Sequence, residues 1–126
     1  MSKMDHSAAE KFLRINISKA RYAARAVRGL EFEIDIYDVM KLLKKQEGRC
    51  ALTGWEMEYT RGGNFGYATN PKACSIDRIY NTSGYLPWNI QLVCWKVNKI
   101  KGELGNWEFK QLCQLVVNKL HSEVDQ

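Results

Sequence analysis

The chain of 126 residues contains no apolar run approaching the ~20 residues that a membrane-spanning helix requires. Its first residues, MSKMDHSAAEKF, have no apolar core of the kind a secretory signal carries. Together these point to a cytoplasmic protein with no membrane partner. Cysteines are few and ill-spaced for a metal: Cys50 and Cys94 each lack a thiol three residues on, where Thr53 and Val97 stand instead. Two thiolates do not close a tetrahedral zinc site, and Cys74 and Cys113 add no metal-like spacing. The expectation is four reduced, mostly packed thiols, without structural zinc and without a disulfide. The glycine-rich stretch 62–66 lacks the Lys-Ser/Thr ending and following helix of a phosphate-binding loop, which argues against nucleotide binding.

What is present is enough apolar material, 45% of residues, for one compact core. Charge is unevenly placed. Residues 1–30 hold seven Lys or Arg against Asp5 and Glu10, which equals the whole net charge of +5. That division sets a basic N-terminal helical segment, 1–30, apart from the remainder, 31–126, within a single compact unit. A concentrated basic segment suits a polyanion, most simply nucleic acid, whose phosphates release counterions when neutralised; a merely solvated helix face is the plainer alternative. Ala20, Ala23, Ala24 and Val27 recur at helical spacing, and Arg21, Arg25 and Arg28 share another face at i, i+4 and i+7. Ser18 is an expected N-cap and Gly29 an expected stop, while Phe12 and Leu13 give the preceding run a thin apolar face.

Residues 30–36, LEFEIDI, alternate apolar and acidic residues and predict a short extended segment with a polar face. Ile36, Val39, Met40 and Leu43 then mark an amphipathic helix capped by Asp35 and ending at Gly48. In 55–71, Gly62, Gly63 and Gly66 predict a loop or hairpin tip from which Arg61 and Tyr67 could reach DNA. From Asn106 a last helix carries Phe109, Leu112, Cys113, Val116 and Leu120 as a stripe, most simply covering the core. Leu115 and Val117 widen that stripe and leave a homodimer surface open.

The most informative stretch is 73–101, ACSIDRIYNTSGYLPWNIQLVCWKVNKIK, which reads as strand, turn, strand, helix. Asp77 stands near the end of the first strand, Asn89 opens the second, and Asn98 and Lys101 lie three apart on one helical face. A carboxylate and an amide oxygen suit a hard cation such as Mg²⁺. With the upstream GRCALTG of 48–54, this spacing resembles the HNH endonucleases, the ββα-metal or His-Me finger nucleases, in their small bacteriophage form; the likeness spans 32–115.

The resemblance implies an α+β fold built on a ββα-metal motif with flanking helices. It implies that Asp77 and Asn98 hold one divalent cation, Mg²⁺ or Mn²⁺, which activates water for cleavage of DNA, while Asn89 braces the motif and Lys101 approaches a phosphate. Arg78 departs from the pattern, standing where the family has its general-base histidine. Arginine stays protonated in proteins and cannot take up the water proton. Arg78 would then pin the scissile phosphate or stabilise its developing charge, and the base would come from bulk hydroxide, metal-bound hydroxide, Tyr80, Tyr85 or one of the two histidines. Two other functions remain open at this stage. One is a non-catalytic nucleic-acid-binding protein on the same scaffold, with Arg21, Arg25, Arg28, Arg78, Lys96, Lys99 and Lys101 on phosphates; the other is a phage protein-interaction or inhibitor module.

Overall fold

The structure, a computed structural model, describes residues 6–62 and 69–124, with the side chains of Val27, Arg28 and Val124 outside that description. Gly63, Gly66 and Tyr67 lie outside the described residues too, as does the arginine head of Arg28.

Helix α1, His6–Ala23, runs without a break through Ser18, so the expected cap is an interior residue. The reason is the apolar spacing of Ala9, Leu13 and Ile17, which starts well before the alanine stripe and is what packs inward. A π-turn at Ala24–Arg28 follows. It closes on Gly29, whose left-handed φ of 63° lets its amide reach the Ala24 carbonyl.

Residues 30–35 form no strand; the alternation finds only one pairing, a bridge between Phe32 and Tyr85 whose rings lie 5.5 Å apart. Asp35 does cap helix α2, Ile36–Lys45, in a reciprocal box with Asp38 at 3.0 Å each way. The helix ends at Lys45, short of Gly48.

Strands β1, Cys74–Arg78, and β2, Ile90–Cys94, pair antiparallel with Cys74 opposite Cys94 and Asp77 opposite Gln91. Gln46 shields the outer edge of β2. Its amide donates to the Leu92 carbonyl at 2.9 Å and accepts from the Leu92 amide at 3.1 Å, as a neighbouring strand would. Helix α3, Trp95–Lys101, follows β2 directly and packs on both strands. Helix α4, Asn106–Val124, completes a mixed α+β fold of four helices and one two-stranded sheet among the described residues. No described helix is long and apolar enough to cross a membrane.

Leu13 and Ile17 from α1, Val39 and Leu43 from α2, and Ile76, Leu92 and Val93 from the sheet share one buried cluster. Each such side chain contributes roughly 1.5–3 kcal/mol by leaving water. The basic N-terminal segment is therefore held to the rest through its own apolar face. A side-chain bond from Asn16 to the Cys74 carbonyl at 3.0 Å adds a polar pin.

α4 departs from expectation. Beyond Phe109 its stripe buries none of its own residues among those described, and residues 110–123 are exposed. One glycine is required by space: a Cβ on Gly84 would run into the backbone of Glu31, 2.7 Å from its nitrogen. Gly84→Ala is expected to cost about 1–3 kcal/mol, read as a lower urea midpoint at unchanged m-value.

Candidate polar centre and cationic face

Ser75 and Asp77 are two apart on β1 and so share a face, and α3 lies across that face with Asn98 and Lys101 three apart. The seam joins Asp77 directly to Lys101, and Asn98 one turn earlier on α3 bonds to Ser75 two residues earlier on β1. Asp77 Oδ2 receives Lys101 Nζ at 2.9 Å and Gln91 Nε2 at 2.9 Å. Lys101 is only 2% exposed and also donates to the Arg78 carbonyl at 2.8 Å. Gln91 in turn exchanges two amide bonds with Asn106, at 2.8 and 3.1 Å. The result is a continuous polar chain from the start of α4, across the sheet, to the end of α3.

Lys101 is therefore not a surface cation waiting for a phosphate. Its charge is neutralised inside the molecule, which compensates the cost of burying Asp77. Asn98 turns its Nδ2 to Ser75 Oγ at 3.0 Å and to the Ile76 carbonyl at 3.4 Å.

Arg78 points away from this seam, as strand alternation demands. Its guanidinium, buried at 7% exposure, donates to the carbonyls of Asn81 at 3.2 Å and Ser83 at 3.0 Å. It also pairs with Glu103 at 3.5 Å and lies 5.9 Å from the Tyr85 ring centre. These bonds hold the turn rather than a phosphate.

Asn89, fully buried, works on the same turn from the other side. Its Oδ1 accepts from the Tyr80 amide at 2.8 Å, and its Nδ2 donates to the carbonyls of Tyr80, Ser83 and Gly84 at 3.1, 3.1 and 2.9 Å. Asn89 and Arg78 together satisfy the inward carbonyls of the 80–84 turn, which no ladder reaches.

The donor set can be tested against a divalent cation. An ion placed on Asp77 would share one carboxylate with an ammonium 2.9 Å away, in a site with little water to screen the repulsion. Asp77 and Asn98 do not fit such an ion while Lys101 stays where it is. No described group of three or more His, Cys, Asp or Glu is arranged to hold a metal.

The thiols of Cys50, Cys74 and Cys94 are buried, and Cys113 is exposed on α4. Burial pushes Cys74 up from the usual value, and burial together with neighbouring Cys50 raises Cys94 to about 11. Burial also acts upward on Cys50. Hydrogen bonds from Thr53 and from the backbone of Cys94, Leu52 and Thr53 outweigh it and leave that thiol below its usual value.

The exposed cations gather elsewhere. With Ala9, Leu13 and Ile17 fixed in the core, α1 must turn Lys11, Arg14, Ser18, Arg21 and Tyr22 to solvent, and Arg25 is exposed on the π-turn that follows. Arg14 is shared with Glu10 at 3.2 Å, and the Arg21 guanidinium stacks 5.1 Å from the Phe32 ring centre. Ser18, Arg21, Tyr22, Arg25 and Ala26 line an open depression along this face. Lys99 is exposed on α3, 6.0 Å from the Trp95 ring centre, and Arg61 is exposed on the loop.

Comparison of the chain with protein-family models, with curated proteins and with solved structures finds no match. The residues that sequence reasoning passes over are Gln91, Asn106, Ser75 and Gln46. A glutamine inside the otherwise apolar run IQLVC is the available signal for the first. The other three join through tertiary contacts that carry no local mark.

Proposed function

We propose that the chain is a nucleic-acid-binding protein on a ββα scaffold of HNH type, gripping a phosphodiester backbone with the outward face of α1 and not cutting it. The observation that carries this reading is the fixed cationic face of α1 and the π-turn after it: Lys11, Arg14 and Arg21 stand on one side of α1, with Tyr22 among them, because the opposite side is locked in the core, and Arg25 is exposed just beyond. Arginines along one face can contact a phosphate backbone, and an exposed aromatic adds a surface for base or sugar contact. Duplex DNA is the polyanion this reading favours. The polar centre, in contrast, has its carboxylate, ammonium and guanidinium engaged with one another and with turn carbonyls, and Arg78 supplies no base.

Binding is expected to weaken linearly in log salt. Arg14→Ala, Arg21→Ala and Arg25→Ala combined should flatten that slope by about 3, roughly one for each phosphate no longer neutralised. All three side chains are exposed, so the fold should persist. An unchanged slope in the triple variant would remove α1 as the binding face.

One observation favours a second reading, the Mg²⁺- or Mn²⁺-dependent HNH-type endonuclease. Asp77 Oδ1 and Asn98 Oδ1 accept no hydrogen bond from a described residue, and both belong to the same strand–helix seam. Those are the oxygens the resemblance would place on a cation. Such an enzyme would need Lys101 to leave Asp77 before an ion could enter.

A further inference from the structure

α4 is the one long element, among those described, whose apolar side is left in water. Among its residues Leu112, Leu115, Val116, Val117 and Leu120 are 49, 67, 48, 59 and 56% exposed. On a helical projection Phe109, Leu112, Cys113, Val116, Val117 and Leu120 fall within one broad stripe, with no charged side chain along its centre. The exposed run 110–123 gains little from packing on the described body, and helices in proteins draw most of their stability from a packed amphipathic face.

From this we propose that the stripe is a homodimer interface, formed by α4 of one chain lying antiparallel against α4 of a second copy. Three features favour a second copy over another occupant. First, Leu112, Val116, Val117 and Leu120 of the stripe are each about half exposed, an apolar centre of the kind that a polar rim completes into an interface of standard size, ~800 Å² per partner. Second, α4 carries Glu108 and Glu123 against Lys110 and Lys119, so the helix is balanced in charge on a chain of net +5. It offers a polyanion or an anionic membrane little to hold, and it does not repel its own copy.

Third, the chain geometry selects the antiparallel arrangement. The basic body of each chain is attached at the Asn106 end. Parallel helices would press two such bodies together; antiparallel helices separate them by about the 28 Å length of a 19-residue helix. Leu52 with Phe109, Cys113 and Val117 lines an open groove at the base of α4, where the far end of the partner helix would seat. Val116 then lies near the two-fold axis.

The test is sedimentation equilibrium of the full chain from about 1 to 200 µM, with Val116→Glu and Leu120→Glu beside the wild type. The wild type is expected to be dimeric over most of that range, and each variant to associate at least 100-fold more weakly. Both substitutions replace exposed side chains, and circular dichroism checks that the body stays folded. In a Cys113→Ser background, Val116→Cys should give a disulfide-linked dimer with diamide as oxidant, two thiols losing two electrons and two protons to the azo group. A wild type that remains monomeric to the top of the range overturns the proposal. So does a dimer that survives both glutamates, or one that the Val116→Cys variant fails to cross-link.

Discussion

Lys101→Met is expected to remove about 3–5 kcal/mol of folding stability, because it leaves Asp77 as a buried carboxylate with its counter-charge gone. In a chain of 126 residues this corresponds to a drop in melting temperature on the order of 10–25 °C. An exposed lysine replaced by methionine would change stability by less than about 0.5 kcal/mol, so the size of the loss separates an internal cation from a surface one. The partner substitution decides the mechanism. If the loss comes from the orphaned charge, Asp77→Leu together with Lys101→Met should be less destabilising than the two single effects added, with a coupling of about 2–3 kcal/mol. Simple additivity would mean that the two side chains contribute separately and that the pair is not the centre of the network.

Asn89→Ala should be as damaging, for a different reason. The side chain makes four hydrogen bonds to the 80–84 turn from a fully buried position, and truncation leaves the Tyr80 amide without its acceptor and takes one donor from each of three carbonyls. At about 1 kcal/mol per neutral bond the loss is roughly 3–4 kcal/mol. Asn89→Asp is expected to do no better, since a carboxylate in place of the amide would face three carbonyl oxygens. Hydrogen exchange gives the local reading: the Tyr80 amide, bonded to Asn89 Oδ1, is expected to exchange slowly in the wild type and at near-unprotected rates in Asn89→Ala. If Tyr80 stays protected, another group holds the turn.

These two side chains also show where the sequence is readable. The strand, turn, strand, helix order of 73–101 is visible in its turn residues and apolar runs, whereas a bracing role for Asn89 is implied only by the resemblance. The Asp35 cap and the Gly29 stop follow from local chemistry. Lys101 does not. Lysine is rarely buried, and only the packing of α3 on β1 turns the side of Val97 and Lys101 inward and carries the ammonium to Asp77. Arg78 is hidden for the same reason: its partners are carbonyls of the turn, and backbone acceptors leave no trace in residue identity. The alternating LEFEIDI segment has the pattern of a strand but forms only one bridge, because alternation describes which faces are wet and not whether a neighbour exists. α4 is legible in length and periodicity, whereas its lack of cover depends on where the body ends.

The cationic face of α1 and the engaged polar centre make opposite demands on one sample, which allows a direct test. Purified protein is incubated with end-labelled duplex DNA in low salt and about 5–10 mM Mg²⁺ or Mn²⁺, a range of concentrations chosen to exceed ordinary divalent affinities by roughly an order of magnitude or more. Half of each sample is run on a native gel and half on a denaturing gel, beside Asn98→Ala and the Arg14, Arg21, Arg25 alanine variant. The expected result is retarded DNA of full length with the wild type and with Asn98→Ala, and loss of retardation with the triple variant. Cleaved strands that appear with the wild type and vanish with Asn98→Ala would contradict this account and assign Asp77 and Asn98 to a working metal-dependent nuclease.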